Sequence, residues 1–247
     1  MDLDNPLSDA ADPQLSVRAL VFPAEDGEGV EPTLEALERQ TVQPDEVVEI
    51  RHAAGFEDAI YGALGGGTEW LWLLDGSVAP QPEALELLLG ALGAVDALPA
   101  PVLLASKVVT PDGALDPRAL PVPHVSDPDL VVAVFDRRLL PVRLARRGSL
   151  LVNRRGFERC SLPRTGSVFF GDDLVWAARL LKPEPGLLVP TSVAVRRPMS
   201  DRAAERWRRA SVAAGLRLLL SDGLNPGEKP WFAGRLAEEL LAVLRPR

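Results

Sequence analysis

The sequence predicts an α/β fold in which a mixed, mainly parallel sheet is flanked by helices, with further helices in the C-terminal part. Three observations predict this fold. Short apolar runs alternate with segments of helical spacing over the first ninety or so residues. The apolar runs lack polar alternation, which is typical of strands covered on both faces of a parallel sheet. Turn residues, mainly Gly, Pro and Asp, separate the segments.

The first part of the chain has the order βαβαβα. Strands are predicted at residues 17–22, 45–50 and 70–74, and the helices that follow them at residues 32–38, 55–64 and 82–92. The third helix places Leu85, Leu88, Leu89 and Leu92 on one face. Such a pattern predicts right-handed crossovers, with ligands bound beyond the carboxyl ends of the strands.

The second part predicts a mixed sheet followed by helices. Strands are predicted at residues 102–109, 130–135, 149–152 and 187–195, and helices at residues 172–181, 201–220 and 231–244. No linker divides the chain. We therefore expect an acidic N-terminal tail at residues 1–14, one main domain at residues 15–200, and a helical extension at residues 201–247 packed on the same domain.

Composition excludes several classes of protein. The chain has 247 residues, 47% hydrophobic and 25% charged, which is typical of a folded domain with a sizeable core. No apolar run approaches the roughly 18 to 20 residues that a membrane span needs. The N-terminus lacks the pattern of a signal peptide, and Cys160 is the single cysteine, so a cytoplasmic protein is expected. One cysteine and two histidines are too few for a structural zinc site.

Charge is distributed unevenly along the chain. The 27 basic and 35 acidic residues give a net charge of −8, which disfavours nucleic acid as a partner. Residues 1–59 carry 15 acidic side chains against three arginines, whereas residues 137–164 carry nine arginines against Glu158 alone. The arginine-rich segment either binds an anion or forms a solvated surface that pairs with the acidic first quarter.

Two acidic positions are candidates for chemistry. Asp75 follows the buried run at residues 70–74, so its carboxylate can hold a nucleotide ribose or a phosphate-bridging cation, or cap an Asp-Gly turn. Asp172 and Asp173 open a predicted helix, where one carboxylate suffices as a cap. The other can act as a general base toward an acceptor hydroxyl.

Arg196 and Arg197 close the last predicted strand. A guanidinium at this position can bind a phosphate through two hydrogen bonds, or simply be solvated at the end of the strand.

The order of these segments along the chain is better evidence of a family resemblance than any single motif. The relevant stretches are residues 17–23, 33–41, 44–48, 70–78, 80–85, 103–107, 111–113, 148–157, 169–174, 179–180 and 189–195. In this order they resemble the family 2 glycosyltransferases of the GT-A (Rossmann-like) fold, over about residues 17–198. The resemblance implies that Pro23 ends the first nucleotide-binding strand and that Asp75 begins the family's Asp-x-Asp metal signature. It also implies that Asp173, or else Asp172, is the catalytic base.

Three positions depart from the family pattern. Arg51 stands where the family has an acid that holds the nucleobase, Ser77 replaces the last Asp of the signature, and Arg196 or Arg197 replaces a histidine of the metal site. A divalent cation, Mn²⁺ or Mg²⁺, held by Asp75 alone should bind weakly. A guanidinium can instead neutralise the leaving diphosphate.

The resemblance implies a glycosyltransferase that uses a nucleotide-diphosphate sugar and inverting displacement to build a cell-surface glycan or glycolipid. Its acceptor would be a glycan or lipid-linked molecule. The arginine-rich segment can receive a phosphorylated or lipid-diphosphate acceptor, or else lie against the anionic inner face of the membrane in peripheral contact. The departures leave two readings open, a metal-independent transferase and a catalytically degenerate binding or scaffold protein with the same fold.

Overall fold

A computed structural model describes residues 15–24, 28–51, 56–93, 100–124, 128–160 and 172–244. The strands are β1 Val17–Phe22, β2 Glu46–Glu49, β3 Trp70–Asp75, β4 Val78–Pro80, β5 Leu103–Val109, β6 Val122–Pro123, β7 Leu140–Leu144, β8 Ser149–Asn153 and β9 Gly186–Arg196. The α-helices are α1 Glu31–Glu38, α2 Phe56–Ala63, α3 Ala84–Gly93, α4 Pro128–Phe135, α5 Arg154–Arg159, α6 Asp172–Leu180, α7 Asp201–Leu220 and α8 Lys229–Leu244. The predicted tail at residues 1–14 lies outside the described residues.

The strands of the described residues form one mixed sheet. Its order is β2-β1-β3-β8-β5-β9-β7-β6, and β4 pairs with β9 beside this path. Strands β1, β2, β3, β5, β6 and β9 run in one direction, whereas β4, β7 and β8 run in the other. The carboxyl ends of β1, β2, β3, β5 and β9 therefore meet at one edge of the sheet, as the βαβ pattern predicts.

Each face of the sheet carries its own apolar layer. Leu20 and Leu71 pack on one face with side chains of α2, α5 and α6, whereas Ala19 and Trp72 pack on the other face with side chains of α1, α3 and α4. The central strands are thus buried on both sides, because successive side chains of a strand point to opposite faces. This arrangement confirms the predicted α/β fold.

Residues 130–135 were expected to form a strand, and that expectation is wrong because they lie in helix α4. Pro128 occupies the first helical position and Asp129 the first turn, and both favour a helix start. Val134 is buried whereas Val132 and Phe135 are exposed, so only part of the apolar run packs into the core. The strand of this region is β7, which pairs with β9.

The C-terminal helices pack against the sheet domain through a buried arginine. From β7, Arg143 forms an ion pair with Glu228 at 2.8 Å and donates a 2.7 Å hydrogen bond to the carbonyl oxygen of Ala178 in α6. Around it, apolar side chains of β7, α6, α7 and α8 form one cluster, which includes Leu144 and Leu218. Among the described residues, no helix is long and apolar enough to cross a membrane.

Candidate active site

The candidate site lies at the edge where the parallel strands end. Asp75 is the last residue of β3 and Arg196 the last residue of β9. Strand β8 runs the opposite way and begins at this edge, so Gly148 accepts a hydrogen bond from the backbone N–H of Asp75 at 3.0 Å. The strand order thus brings together residues that are more than a hundred positions apart in the sequence.

Asp75 is fully buried and both of its carboxylate oxygens have partners. Oδ1 accepts hydrogen bonds from the backbone N–H and the hydroxyl of Ser77, at 2.8 and 2.7 Å. Oδ2 forms an ion pair with Nη1 of Arg196 at 3.1 Å, and the same nitrogen donates to the Ser77 hydroxyl at 2.8 Å. The structure therefore joins three of the predicted site residues, Asp75, Ser77 and Arg196, in one network.

A second carboxylate, which the sequence analysis missed, contacts the other side of Arg196. Nε of Arg196 lies 2.6 Å from Oδ2 of Asp116, and Oδ1 of Asp116 accepts a 2.9 Å bond from Arg118. Nη2 of Arg196 donates to the carbonyl oxygen of Arg147 at 3.3 Å. The Arg196 guanidinium is thus held between two buried aspartates.

The charges around Asp75 keep it ionised. Burial by itself raises the pKa of Asp75, but the nearby charges of Arg196 and Arg147 and the hydrogen bonds from Ser77 outweigh that effect. The net result is a pKa below the ordinary value of 3.8. Arg147 is itself buried, with its guanidinium carbon 5.0 Å from the centre of the Phe22 ring.

The turn after β3 has room only for glycine. The backbone N–H of Gly76 donates to the carbonyl oxygen of Phe22 at 2.8 Å, and a Cβ at position 76 would lie 2.4 Å from a methyl carbon of Val30. The hydroxyl of Thr33 bonds the carbonyl oxygens of Gly76 and Val78 at 2.9 and 2.8 Å. These contacts fix the turn that orients Asp75 and Ser77.

The other predicted donor-binding residues lie at the same edge but outside the network. Half-buried Pro23 follows β1 directly. Arg197 donates to the carbonyl oxygen of Gly29 at 2.8 Å and contacts Glu28 at 3.5 Å, which ties the end of β9 to the loop before α1. Arg51 is exposed and pairs with Glu49 at 3.0 Å.

Helix α6 begins at the predicted acidic pair. Asp172 and Asp173 form its first turn, and their side chains lie outside the described part of the structure. The helix is anchored by Trp176, whose ring stacks on Phe157 with centroids 5.0 Å apart. Catalysis by Asp173 or Asp172 stays a prediction.

The residues at this edge do not fit a divalent cation. Oxygen ligands in sufficient number are what Mn²⁺ and Mg²⁺ require, and the described residues contain no cluster of three or more His, Cys, Asp or Glu that could hold a metal. Both carboxylate oxygens of Asp75 already contact Ser77 and Arg196, and the guanidinium places a positive charge where a cation would bind.

Several arginines of the arginine-rich segment pair with acids from the second half of the chain. Arg154 pairs with Glu158, and Arg155 and Arg159 both contact Glu184. Together with the Arg143 pair, these contacts differ from the expected pairing with the acidic first quarter. Arg164 lies outside the described residues.

Known protein families and curated protein sequences yield no match to this chain. Solved structures do match its fold. A crystal structure of S. aureus TarS superposes with a TM-score of 0.54 at 9% identity, over 92% of this chain and 44% of that one, so this chain spans less than half the length of that TarS chain. Residues 1–349 of TarS in complex with UDP-GlcNAc give 0.53 at 9% identity, over 92% of this chain and 73% of that one.

A second glycosyltransferase structure matches as well. GalNAc-T7 with UDP, GalNAc and Mn²⁺ gives a TM-score of 0.55 at 10% identity, over 90% of this chain and 55% of that one. Identities this low establish the fold alone. The chain has a GT-A-like fold, and the Asp75 network lies at the carboxyl edge of its sheet.

Proposed function

We propose that this chain is a glycosyltransferase that moves a sugar from a nucleoside-diphosphate sugar to a hydroxyl of a glycan or lipid-linked acceptor, without a metal ion. The observation that carries the proposal is the Asp75–Arg196–Asp116 network at the carboxyl edge of a GT-A-like sheet. Support comes from the TarS structures solved with UDP-GlcNAc and with UDP.

The donor would bind along the edge formed by Pro23, Arg51, Asp75, Ser77, Arg196 and Arg197. Asp75 and Asp116 oppose three cationic side chains, Arg118, Arg147 and Arg196, so this part of the edge has a surplus positive charge. Because these groups are buried, or in the case of Arg118 partly buried, water screens their field less than it would at the surface. In this proposal the surplus charge attracts the donor diphosphate, and Arg197, whose side chain is more exposed than that of Arg196, lies beside it.

The chemical step would be an inverting displacement. Asp173, or in its place Asp172, accepts the proton of the acceptor hydroxyl, and the hydroxyl oxygen forms a bond to the anomeric carbon. The bond from that carbon to the diphosphate oxygen breaks, and the nucleoside diphosphate leaves with the electron pair. A base of this kind contributes about 10²- to 10⁴-fold to the rate.

The test is turnover of UDP-, dTDP- and GDP-sugars with glycan and lipid-linked acceptors in excess chelator. We expect Asp173→Asn to lower kcat at least about a hundredfold while the chain still binds nucleotide. Asp201→Asn is the matched control, because Asp201 lies in the first turn of α7 as Asp173 lies in the first turn of α6. Full turnover by both Asp173→Asn and Asp172→Asn would exclude this pair as the base.

A catalytically degenerate scaffold with the same fold is the second candidate. The observation that favours it is the burial of Asp75 and Arg196, whose charged atoms contact protein groups. A donor can meet these atoms only after the network opens. Failure of every nucleotide to bind, with or without metal, would favour this candidate.

The acceptor class in the proposal is a cell-surface glycan or glycolipid assembled at the cytoplasmic face of the membrane. This part rests on the arginine-rich segment, which can contact anionic lipid or an anionic acceptor. Acceptor binding that does not weaken as salt is raised would contradict it.

A further inference from the structure

A cleft between the C-terminal helices and the segment around β6 is lined by two arginines. Arg146 enters it from the end of β7, Trp207 from α7 and Arg235 from α8, while Leu120 and Val122 form an apolar wall. Among the described residues that line the cleft, none is Asp or Glu. It is therefore a positive site on a chain whose net charge is −8.

Both guanidinium groups are held by aromatic rings. The guanidinium carbon of Arg146 lies 5.6 Å from the centre of the Trp207 ring, and that of Arg235 lies 5.5 Å from the centre of the Trp231 ring. An arginine that stacks through its flat face keeps its in-plane N–H groups for hydrogen bonds. Within the described part of the chain, neither arginine forms an ion pair, in contrast to Arg143.

We propose that this cleft binds a phosphate group of a ligand. Guanidinium groups bind phosphate oxygens through paired, charge-assisted hydrogen bonds. Two of them, carried by different elements, suit a tetrahedral anion better than a planar carboxylate. The cavity volume is about 40 Å³, which gives room for a few water-sized groups and suits a phosphate head.

The position of the cleft links it to the candidate active site. Arg146 precedes Arg147, whose carbonyl oxygen binds Arg196, and Leu174, which also lines the cleft, follows Asp173. The cleft is thus lined by the residue that precedes Arg147 and by a residue of the first turn of α6. That this ligand is the sugar acceptor rests on the proposed function, whereas the binding of phosphate does not.

The test is calorimetric titration of the full chain with inorganic phosphate and with glycerol 3-phosphate at low salt. We expect Arg146→Gln and Arg235→Gln each to weaken binding at least about tenfold. Arg209→Gln is the matched control on α7, because Arg209 is exposed and pairs with Glu205 at 2.9 Å, and it should change affinity less than about twofold. Arg235 is exposed, so its variant tests the site even if Arg146→Gln folds poorly.

Equal phosphate affinity in the wild type and both variants, or no binding to the wild type, would overturn the proposal. A parallel UDP titration separates it from the proposed function, because UDP binding can fail while phosphate binding through Arg146 and Arg235 persists. Vesicles of phosphatidylcholine with phosphatidylglycerol form a further arm. Co-sedimentation that the Arg235→Gln change abolishes would identify the phosphate as that of a lipid headgroup.

Discussion

The side chain of Arg196 is the residue on which the candidate site depends most. It is buried between Asp75 and Asp116 and also hydrogen bonds Ser77 and a backbone carbonyl oxygen. A buried ion pair adds little net stability compared with apolar side chains, but loss of one partner leaves an uncompensated charge. The network is therefore fragile toward single substitutions.

Arg196→Met should lower the free energy of unfolding by about 3–5 kcal/mol, because both aspartates then stay buried without their common partner. Urea unfolding measures the change. Arg51→Met is the control and should cost less than about 0.5 kcal/mol, since Arg51 is exposed and its pair with Glu49 is solvated. A loss below about 1 kcal/mol for Arg196→Met would mean that Asp75 and Asp116 do not depend on Arg196 to neutralise their charge.

The low pKa of Asp75 implies that the stability of the chain depends on pH. A carboxylate whose pKa is lower in the folded chain contributes stability above its unfolded value, here near 3.8, and loses it as the pH falls through the folded value. Stability of the wild type should therefore fall steeply below about pH 4. Asp75→Asn should show a shallower decline in urea unfolding measured from pH 7 to pH 3. Identical slopes for the two proteins would contradict the assignment.

At the scale of elements, the turn between β3 and β4 is the most constrained piece of backbone at the site. Gly76→Ala should destabilise the chain by about 1–3 kcal/mol, because the new methyl would overlap Val30 and the carbonyl oxygen of Phe22. Gly62→Ala is the matched control, since nothing lies within 4 Å of its Cβ position in α2. It should stabilise the helix by up to about 1 kcal/mol. Thermal unfolding of both variants measures the two changes in stability. Equal changes would contradict the proposed steric constraint at position 76.

The elements that the sequence predicted well are those whose pattern is local. Strand β1 is apolar except for Arg18, strand β3 is apolar up to its last residue, Asp75, and α7 has one apolar stripe along its 20 residues. Strand β7 could not be predicted, because it contains Pro141 and Arg143, and the charge of Arg143 is neutralised by Glu228 far along the chain. The strand prediction at residues 130–135 is wrong because it relied on the preference of β-branched residues for strands. It did not take into account Pro128 and Asp129, which favour the start of a helix.

The candidate site could be predicted from the sequence only in part. That Asp75, Ser77 and Arg196 share one edge follows from the order of strands and from the family resemblance. Asp116 and Arg147 could not be assigned, since Asp116 lies in a loop after a Pro-Asp-Gly turn and Arg147 is one of nine arginines in its segment. Only tertiary contacts distinguish these two from solvated neighbours.

At the scale of the whole molecule, Arg143 couples the sheet to the C-terminal helices. Because those helices share an apolar cluster with β7 and α6, the chain should unfold in one cooperative thermal transition. Arg143→Met should lower the free energy of unfolding by about 3–5 kcal/mol and shift the single transition as a whole to lower temperature. Arg154→Met, which removes a more exposed ion pair, is the control. Two separate transitions in calorimetry would contradict a single domain that includes residues 201–247.

The most direct test of the central claim is calorimetric titration with UDP, dTDP and GDP, each with Mn²⁺ and again with excess chelator. A site in which Arg196 occupies the place of a cation should bind one of these nucleotides with the same affinity under both conditions. Nucleotide binding that requires Mn²⁺ and disappears in Asp75→Asn would contradict the claim, because it would mean that Asp75 releases Arg196 to hold a metal.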